Sequence, residues 1–190
     1  MNVHADDEHS DDKLMLAVKE GDRAAFGVLV GRHIQPLYNY AYRLSRNPSN
    51  AEDLVQDTFL NAWQKSGSYK IGKVQLTTWL HRILHNKFID ETRKQKDVVA
   101  GDKFDLIEDP VSPEASHVAK QAKLHLDKLL RRLPENQRAA IMLAHVQGFS
   151  NTQTAEILNT SVRAVESLLS RARRTLRHEF SDGETTQNEH

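Results

Sequence analysis

The sequence predicts an all-α protein, made of two small helical domains joined by an acidic, flexible linker, with a helix-turn-helix in the C-terminal domain. Apolar residues recur at steps of three and four along most of the chain, which is the period of an amphipathic helix, and no segment alternates like a strand. A stretch rich in acidic residues, Gly and Pro interrupts this period at residues 97–115. The length of 190 residues suits two small domains, because cores of about 100 residues are common.

The N-terminal domain, residues 12–97, is expected to contain four helices. Asp12, Asp22 and Asn50 are suitable N-caps, because their short side chains accept hydrogen bonds from the free N–H groups of a first helical turn. Pro36 lies inside the second helical run and requires either a kink or a junction of two helices. A loop with two glycines precedes the last helix. The four predicted helices cover residues 12–21, 22–45, 51–65 and 77–96.

The linker, residues 98–115, leads to the C-terminal domain, residues 116–180. Gly148 is expected to close one helix of this domain and Ser150 to cap the next. The two ends of the chain, residues 1–11 and 181–190, are acidic and polar, and we expect them to be disordered. The helices predicted for this domain cover residues 116–132, 135–146, 150–158 and 162–180.

The net charge of zero conceals an uneven distribution of charge along the chain. Residues 13–96 carry +7 and residues 116–180 carry +6, whereas residues 1–12, 97–115 and 181–190 carry −5, −5 and −3. Basic blocks of this kind favour polyanionic partners through Coulomb attraction and counterion release. An ordinary solvated surface remains the alternative when charge is considered alone.

Several classes of protein are disfavoured by what the sequence lacks. Without cysteine there is no disulfide framework and no thiolate metal site. No apolar stretch approaches the roughly 20 residues that span a bilayer, and the acidic N-terminus is unlike a secretory signal. We therefore expect a cytoplasmic protein without membrane insertion. The sequence has no glycine-rich phosphate loop and no nucleophile motif, so we expect neither an enzyme nor a cofactor.

Histidines provide the one candidate metal site. His81 and His85 lie four residues apart on a predicted helix, and His117 and His125 are possible further ligands. No third ligand lies at a fixed spacing, so we expect no bound metal. The expected alternative is that His81 and His85 lie on the surface or face DNA.

A helix-turn-helix is predicted for residues 150–172. Ala155 supplies the small residue where two helices cross, and Leu158, Val165 and Leu168 follow at the spacing of the contacts that lock the second helix onto the first. Asn159 occupies the turn, where a residue that tolerates positive φ is needed.

The second helix of this motif has an apolar face and an opposite polar face. Val162, Val165, Leu169, Ala172 and Leu176 are expected to be buried. Short polar and charged side chains on the opposite face suit the major groove, because Arg pairs with guanine acceptors and Glu accepts from a cytosine amine. Arginines near the C-terminal end suit phosphates. The predicted DNA-reading residues are Arg163, Glu166, Ser167, Ser170, Arg171, Arg173, Arg174 and Arg177.

Two surfaces of the N-terminal domain are candidates for binding. The helix over residues 77–96 buries Leu80, Ile83, Leu84 and Phe88, and its other side suits single-stranded nucleic acid, with Trp79 expected in the core. That polar side comprises Thr78, His81, Arg82, His85, Asn86 and Arg93. The second surface is an acid–amide ridge, defined by Asp53, Gln56 and Asp57, which suits a basic partner helix.

Three sequence runs occur in a fixed order: AEDLVQDTFLNAW at residues 51–63, TTWLHRILHNKFIDETRK at 77–94, and RRLPENQRAAIMLAHVQGFSNTQTAEILNTSVRAVESLLSRARRTLR at 131–177. In this order the chain resembles a bacterial sigma factor of the extracytoplasmic-function (ECF) group over residues 12–180. The resemblance implies a helical initiation factor, with sigma region 2 at residues 12–97 and sigma region 4 at 116–180. Expected partners are the RNA polymerase core enzyme, promoter DNA and an anti-sigma factor.

The resemblance also implies roles for the candidate residues. The acid–amide ridge docks on the coiled coil of the polymerase β′ subunit. Arg82 and Asn86, with Thr78 and Tyr69, contact the non-template strand of the −10 element, and the loop 68–75 sets which extruded base is accepted. The predicted DNA-reading residues of the second domain contact the −35 element, with Glu166, Ser167, Ser170 and Arg171 at the family's reading positions. The rest of that domain meets the flap of the β subunit.

A stand-alone helix-turn-helix regulator of duplex DNA is the alternative interpretation. It accounts for residues 150–178 but gives no role to the acid–amide ridge or to the helix at 77–96. A regulator binds its site alone, whereas a sigma factor needs the core polymerase.

Overall fold

The computed structural model describes residues 10–98 and 129–185 of the chain. The chain divides into two compact units, Met1–Lys103 and Phe104–His190. Within the described ranges every regular element is helical, as the sequence predicts. None of the described helices is long and apolar enough to cross a membrane.

Over residues 10–98, the described part of the N-terminal unit, four helices pack around one core. A single 3₁₀ turn, Ser66–Ser68, lies between the third and fourth helices. The most deeply buried side chains include Leu37, Tyr40, Leu54 and Leu84, none of which is accessible to solvent. Each buried leucine stabilises the fold by about 1.5–3 kcal/mol relative to an exposed one. The helices are α1 (Asp11–Lys19), α2 (Arg23–Ser45), α3 (Pro48–Gln64) and α4 (Leu76–Val98).

The helix starts of this unit follow capping chemistry, although two of the predicted caps are wrong. Asp22 caps α2 as predicted, accepting from the N–H groups of the first turn. Ser10, not Asp12, caps α1, and Asn47, not Asn50, caps α3. Pro48 explains the second difference, because a proline at the first helical position needs no N–H partner and moves the start three residues earlier.

Pro36 does not divide the second helix. Helix α2 runs as one element through Pro36 to Ser45. Of the two alternatives left by the sequence, a kink or a junction of two helices, the junction is therefore excluded. Arg46 then adopts the left-handed conformation, with φ of 59°, and ends the helix.

The C-terminal unit is built on the helix-turn-helix. Residues 129–131 are helical and precede the first complete helix. The predicted helix 135–146 is an α-helix only as far as Ile141 and continues as a π-helical turn, Met142–Val146. Gly148, with φ of 76°, turns the chain into the next helix as predicted. The helices are α5 (Glu135–Ile141), α6 (Asn151–Ile157) and α7 (Val162–Thr185).

Of the three predicted locking contacts, Val165 is buried as expected, whereas Leu158 and Leu168 are half-buried. Ala155, Val165, Leu169 and Ala172 are buried between α6 and α7. Two side chains of the predicted apolar face are not buried: Val162, at the first position of α7, is 38 % exposed, and Leu176 is half-buried.

The predicted ends and linker fall largely outside the described residues. Helix α1 begins at Asp11 and helix α7 continues to Thr185, so helix extends into both ends that were expected to be disordered. Residues 1–9, 99–128 and 186–190 are not described, and the linker and the helix expected at 116–128 remain predictions.

Candidate nucleic-acid and partner interfaces

The polar face of α7 is fully presented to solvent. All eight predicted DNA-reading side chains are exposed, and Val165, Leu169 and Ala172 hold the opposite face of the helix in the core. Five of the eight are arginines, so the exposed face combines positive charge with short hydroxyl side chains. This arrangement fits the major groove of duplex DNA. The eight residues are Arg163, Glu166, Ser167, Ser170, Arg171, Arg173, Arg174 and Arg177.

The turn that aims α7 is fixed by local hydrogen bonds. Asn159 adopts positive φ, 49°, as predicted, and the next N–H, that of Thr160, donates to the Ala155 carbonyl at 2.9 Å. The Ser161 hydroxyl then accepts from the Ala164 N–H at 3.1 Å, which caps α7. At the start of α6, Ser150 and Gln153 form a reciprocal capping box.

Arg173 of this face contacts a side chain in another part of the unit. Its Nη2 lies 3.4 Å from Nε2 of His145 in the π-helical turn, and the guanidinium is the donor because it has no acceptor atom. The side chain is therefore tethered toward the first part of the unit.

The structure separates the predicted −10 residues, three on α4 and Tyr69 in the loop before it, into two pairs. Asn86 is exposed and Arg82, one turn earlier, is half-buried at the surface. Thr78 and Tyr69 are only 1 % and 2 % exposed. Neither of these two side chains is presented to DNA, because Thr78 lies on the inward side of α4 and the ring of Tyr69 is buried against Trp79.

The prediction that His81 and His85 lie on the surface or face DNA is wrong. His81 and His85 are 3 % and 5 % exposed, and Nδ1 of His85 lies 3.0 Å from the Tyr40 hydroxyl of α2. The Nδ1–H of His81 donates to the Thr77 carbonyl at 2.8 Å. Burial lowers the pKa of each imidazole to about 4, so both are neutral at pH 7.

Within the described ranges, no three His, Asp or Glu side chains are grouped so that they could hold a metal ion. His117 and His125, the further ligands considered from the sequence, lie outside those ranges.

The acid–amide ridge lies along α3 and is partly tied to α4. Asp53 and Gln56 are exposed. Asp57 is half-buried, and its Oδ2 lies 2.7 Å from Nζ of Lys87, the residue after Asn86. The ridge and the predicted −10 surface are therefore linked by one ion pair.

An apolar groove next to the ridge was missed by sequence reasoning. It lies between α2 and α3, has a volume of about 720 Å³, and includes Gln56 of the ridge in its lining. Leu60 and Ile34 in this lining are 51 % and 45 % exposed. The spacing of Leu60 could have indicated the groove. Leu60 lies four residues after Gln56 and seven after Asp53, so it lies on the same face of the helix as the ridge. The apolar lining comprises Phe26, Val30, Ile34, Val55, Phe59, Leu60 and Trp63.

The loop between α3 and α4 forms a raised, basic turn. The Lys73 N–H donates to the Lys70 carbonyl at 3.2 Å, and Gly72 takes the positive φ of 73° that this turn requires. The side chains of Lys70, Lys73 and Gln75 are exposed.

These features together indicate a class of protein. A helix-turn-helix with an exposed, arginine-rich face, in one chain with a second helical unit that carries a basic loop and an exposed apolar groove, is typical of a DNA-binding transcription factor that works with a protein partner.

Comparison with known proteins identifies the family. The family model for Sigma-70 region 2 matches residues 29–98, and the model for Sigma-70, region 4 matches residues 123–176. The ECF RNA polymerase sigma factor SigM of Mycobacterium tuberculosis is 34 % identical over 169 residues, covering 89 % of this chain and 84 % of its own. SigW of Bacillus subtilis is 31 % identical, covering 90 % and 96 %.

A solved structure shows the same relationship. The sigma factor RpoE of Bartonella quintana, crystallised with the anti-sigma factor NepR, matches with a TM-score of 0.69 and 30 % identity, over 82 % of this chain and 96 % of that one. The chain belongs to the ECF group of the sigma-70 family and is an alternative RNA polymerase sigma factor.

Proposed function

We propose that this chain binds the core RNA polymerase through its N-terminal unit, recognises the −35 and −10 promoter elements with its two units, and promotes DNA melting. Residues 12–97 act as region 2, residues 98–115 as the linker and residues 116–180 as region 4. The observation that carries the proposal is that one chain, matched by both family models, exposes a basic reading helix and, on the other unit, an acid–amide ridge beside an apolar groove.

The −35 element is read as duplex by α7. Glu166, Ser167, Ser170 and Arg171 reach base edges in the major groove, where short polar side chains and one bidentate arginine discriminate between base pairs. The other arginines of the face, at positions 163, 173, 174 and 177, contact phosphates and fix the position of the helix. The exposure of all eight side chains supports this assignment.

The −10 element is engaged as a single strand. Arg82 and Asn86 contact the non-template strand, and the loop 68–75 receives an extruded base. Extruding a base costs a few kcal/mol of stacking and pairing, which contacts to the captured base and its phosphates must offset. Melting on this proposal is differential binding, because the protein binds the open strand better than the duplex and needs no covalent chemistry or cofactor of its own.

The core polymerase docks on α3. Asp53 and Gln56 provide exposed polar groups beside the apolar groove, and a helix of the β′ coiled coil fits this combination by placing apolar side chains in the groove and basic ones on the ridge. The β flap binds the C-terminal unit outside its reading face. On this proposal the protein acts in the cytoplasm, beside the polymerase.

An anti-sigma factor is the third proposed partner. The Bartonella quintana relative was solved in complex with one. A regulator that covers the apolar groove between α2 and α3 competes with the β′ coiled coil for the same exposed side chains. Holding the factor inactive in this way requires no change in the fold.

Reconstituted transcription tests the proposed function. The purified chain is added to core polymerase with fragments of the genome that encodes it, and the start sites are mapped. We expect new start sites that require both the chain and the core enzyme. If the chain creates no start site with a core enzyme that responds to its own housekeeping sigma factor, the proposed function is wrong.

A further inference from the structure

Helix α1 has no role in the function proposed above, although it lies against the loop between α3 and α4. The region 2 model matches residues 29–98 and leaves α1, Asp11–Lys19, outside. In the structure α1 packs against α2 and against the turn Ser66–Ser68, which begins the loop between α3 and α4. It is therefore the element outside the matched region that contacts the base of this loop.

Tyr69 connects α1 to the loop through both its side chain and its backbone. The Tyr69 hydroxyl lies 2.7 Å from Oδ1 of Asp12, and the ammonium of Lys19 donates to the Tyr69 carbonyl at 2.8 Å. Asp12 and Lys19 are two turns apart on one side of α1. Each bond includes a charged group, and such bonds are stronger than neutral ones.

The same hydroxyl also closes the loop on itself. It lies 2.9 Å from the Val74 carbonyl, so its one proton is shared between Val74 and Asp12. The turn at residues 70–73 is thereby bracketed by Tyr69 on one side and Val74 on the other. The Tyr69 ring packs against the Trp79 ring, with 5.3 Å between the ring centroids. Burial, and then the hydrogen bond to Asp12, raises the pKa of Tyr69, so the hydroxyl remains a donor at all working pH values.

We propose that α1 positions the loop between α3 and α4 for selection of the extruded −10 base, with Asp12 and Lys19 as positioning residues that act through Tyr69. This inference rests on the proposed function and adds to it, because it assigns −10 specificity in part to side chains that touch no DNA. On this proposal Tyr69 affects base specificity by supporting the loop from inside. This role explains why Tyr69 is buried although it lies in the loop. The ligand is an unpaired base with its flanking phosphates.

Base preference is the readout that separates positioning from general stability. A promoter library randomised over the −10 element is transcribed with core polymerase and either the wild-type chain or the variants Lys19→Met and Asp12→Ala. We expect these variants to lose about 3- to 10-fold of the preference for the best base at the extruded position, the range that corresponds to one hydrogen bond of about 1 kcal/mol. Dependence on the −35 element and core affinity stay unchanged.

Matched variants control for the change of side chain. Lys13→Met removes an exposed lysine from the same helix and leaves the preference unchanged. Asp12→Asn retains an oxygen that accepts from the Tyr69 hydroxyl, and is expected to keep most of the preference that Asp12→Ala loses. Hydrogen exchange of the amides at residues 70–75 is measured in parallel and is expected to be faster in Lys19→Met than in Lys13→Met.

The outcomes distinguish this inference from the proposed function. If the wild-type chain shows a −10 preference and Lys19→Met and Asp12→Ala keep it, with unchanged loop exchange, the inference is overturned while the proposed function stands. It is also overturned if activity falls equally on every library member in proportion to the loss of folded protein. If the wild-type chain directs no transcription, the proposed function fails, although the exchange measurement still reports whether α1 holds the loop.

Discussion

His81 and His85 sit against Tyr40 inside the N-terminal unit, where burial lowers the pKa of each from 6.5 to about 4. An unfolded chain binds protons at both histidines near their ordinary pKa, whereas the folded chain does not. Between these two pKa values the unfolded state therefore binds more protons, and the free energy of unfolding decreases as the pH falls.

We therefore expect the N-terminal unit to lose stability between pH 7 and pH 5, by about 2 kcal/mol for each of the two histidines. Urea unfolding followed by tryptophan fluorescence measures this directly, because the two tryptophans, Trp63 and Trp79, lie in that unit. The variant His85→Gln should show a smaller pH dependence, and the exposed His145→Gln the same dependence as the wild type. A flat stability from pH 7 to pH 5 would contradict the burial of these histidines.

Arg171 is the residue on which duplex reading depends most directly. Removing a bidentate contact to guanine costs about 1–3 kcal/mol, so Arg171→Ala should reduce transcription from a −35-dependent promoter about tenfold or more. The equivalent change Arg23→Ala, at an exposed arginine of α2, should have no such effect. Equal activity of Arg171→Ala and Arg23→Ala on that promoter would exclude Arg171 from the reading face.

Asn86 belongs to the melting step and not to duplex binding. On the proposed function, Asn86→Ala should leave closed-complex formation nearly unchanged and reduce the open complex several-fold, since its amide contacts only the separated strand. Permanganate reactivity of thymines in the −10 region measures opening, and a gel shift of the holoenzyme measures binding. A loss of the two in equal proportion would count against this role.

The sequence predicted the exposure of the polar face of α7 correctly and that of the proposed −10 residues only in part, for a physical reason. A helical period shows which side chains share a face, and on α7 an apolar stripe opposes the polar face, so the polar side must be exposed. On α4 the polar stripe containing Thr78, His81 and His85 is covered by α2, through a contact between residues 45 apart in the chain. The spacing of residues within α4 cannot reveal a hydrogen-bonding partner that is so distant in the chain.

At the scale of elements, α3 joins the ridge to the apolar groove, and Leu60 is the side chain at their junction. Apolar anchors at the centre of an interface often contribute about 2 kcal/mol or more, so Leu60→Glu should weaken binding to core polymerase about 30-fold. Leu16→Glu, at a leucine of α1 with the same exposure, serves as the matched control. Asp53→Arg, which reverses the charge of the ridge, should also weaken binding.

Fluorescence anisotropy of a labelled chain titrated with core polymerase measures these affinities. If Leu60→Glu and Leu16→Glu bind the core equally well, the groove is not the docking surface. Circular dichroism of each variant confirms that the helices are retained.

Several helix starts and turns with a chemical signal were predictable, although Asp12 and Asn50 were wrongly chosen as caps, and features set by packing were not predictable. The Ser150 capping box, the Asp22 cap and the positive φ at Asn159 follow from residue type at a fixed position. The π-helical turn at Met142–Val146 has no such signal, because it arises where the helix adjusts its winding to its neighbours. The groove likewise depends on how α2 and α3 approach each other.

For the whole molecule, the distribution of charge explains how a neutral protein binds DNA. On the proposed function, the two basic blocks, residues 13–96 and 116–180, contact one promoter at two places, and each contact raises the effective concentration of the other. On the proposed function, neither unit needs to bind DNA tightly alone, because the core polymerase brings the two units to the promoter together. The proposed function therefore requires that the chain bind its promoter only together with the core polymerase.

The most direct test compares promoter occupancy of the purified chain with and without core polymerase. A fragment that carries a mapped start site is footprinted at physiological salt, with the chain alone, the core enzyme alone and the two together. We predict protection of the −35 and −10 regions only when the chain and the core enzyme are combined. Specific protection by the chain alone, with no change in where the polymerase starts, would contradict it and indicate a stand-alone regulator.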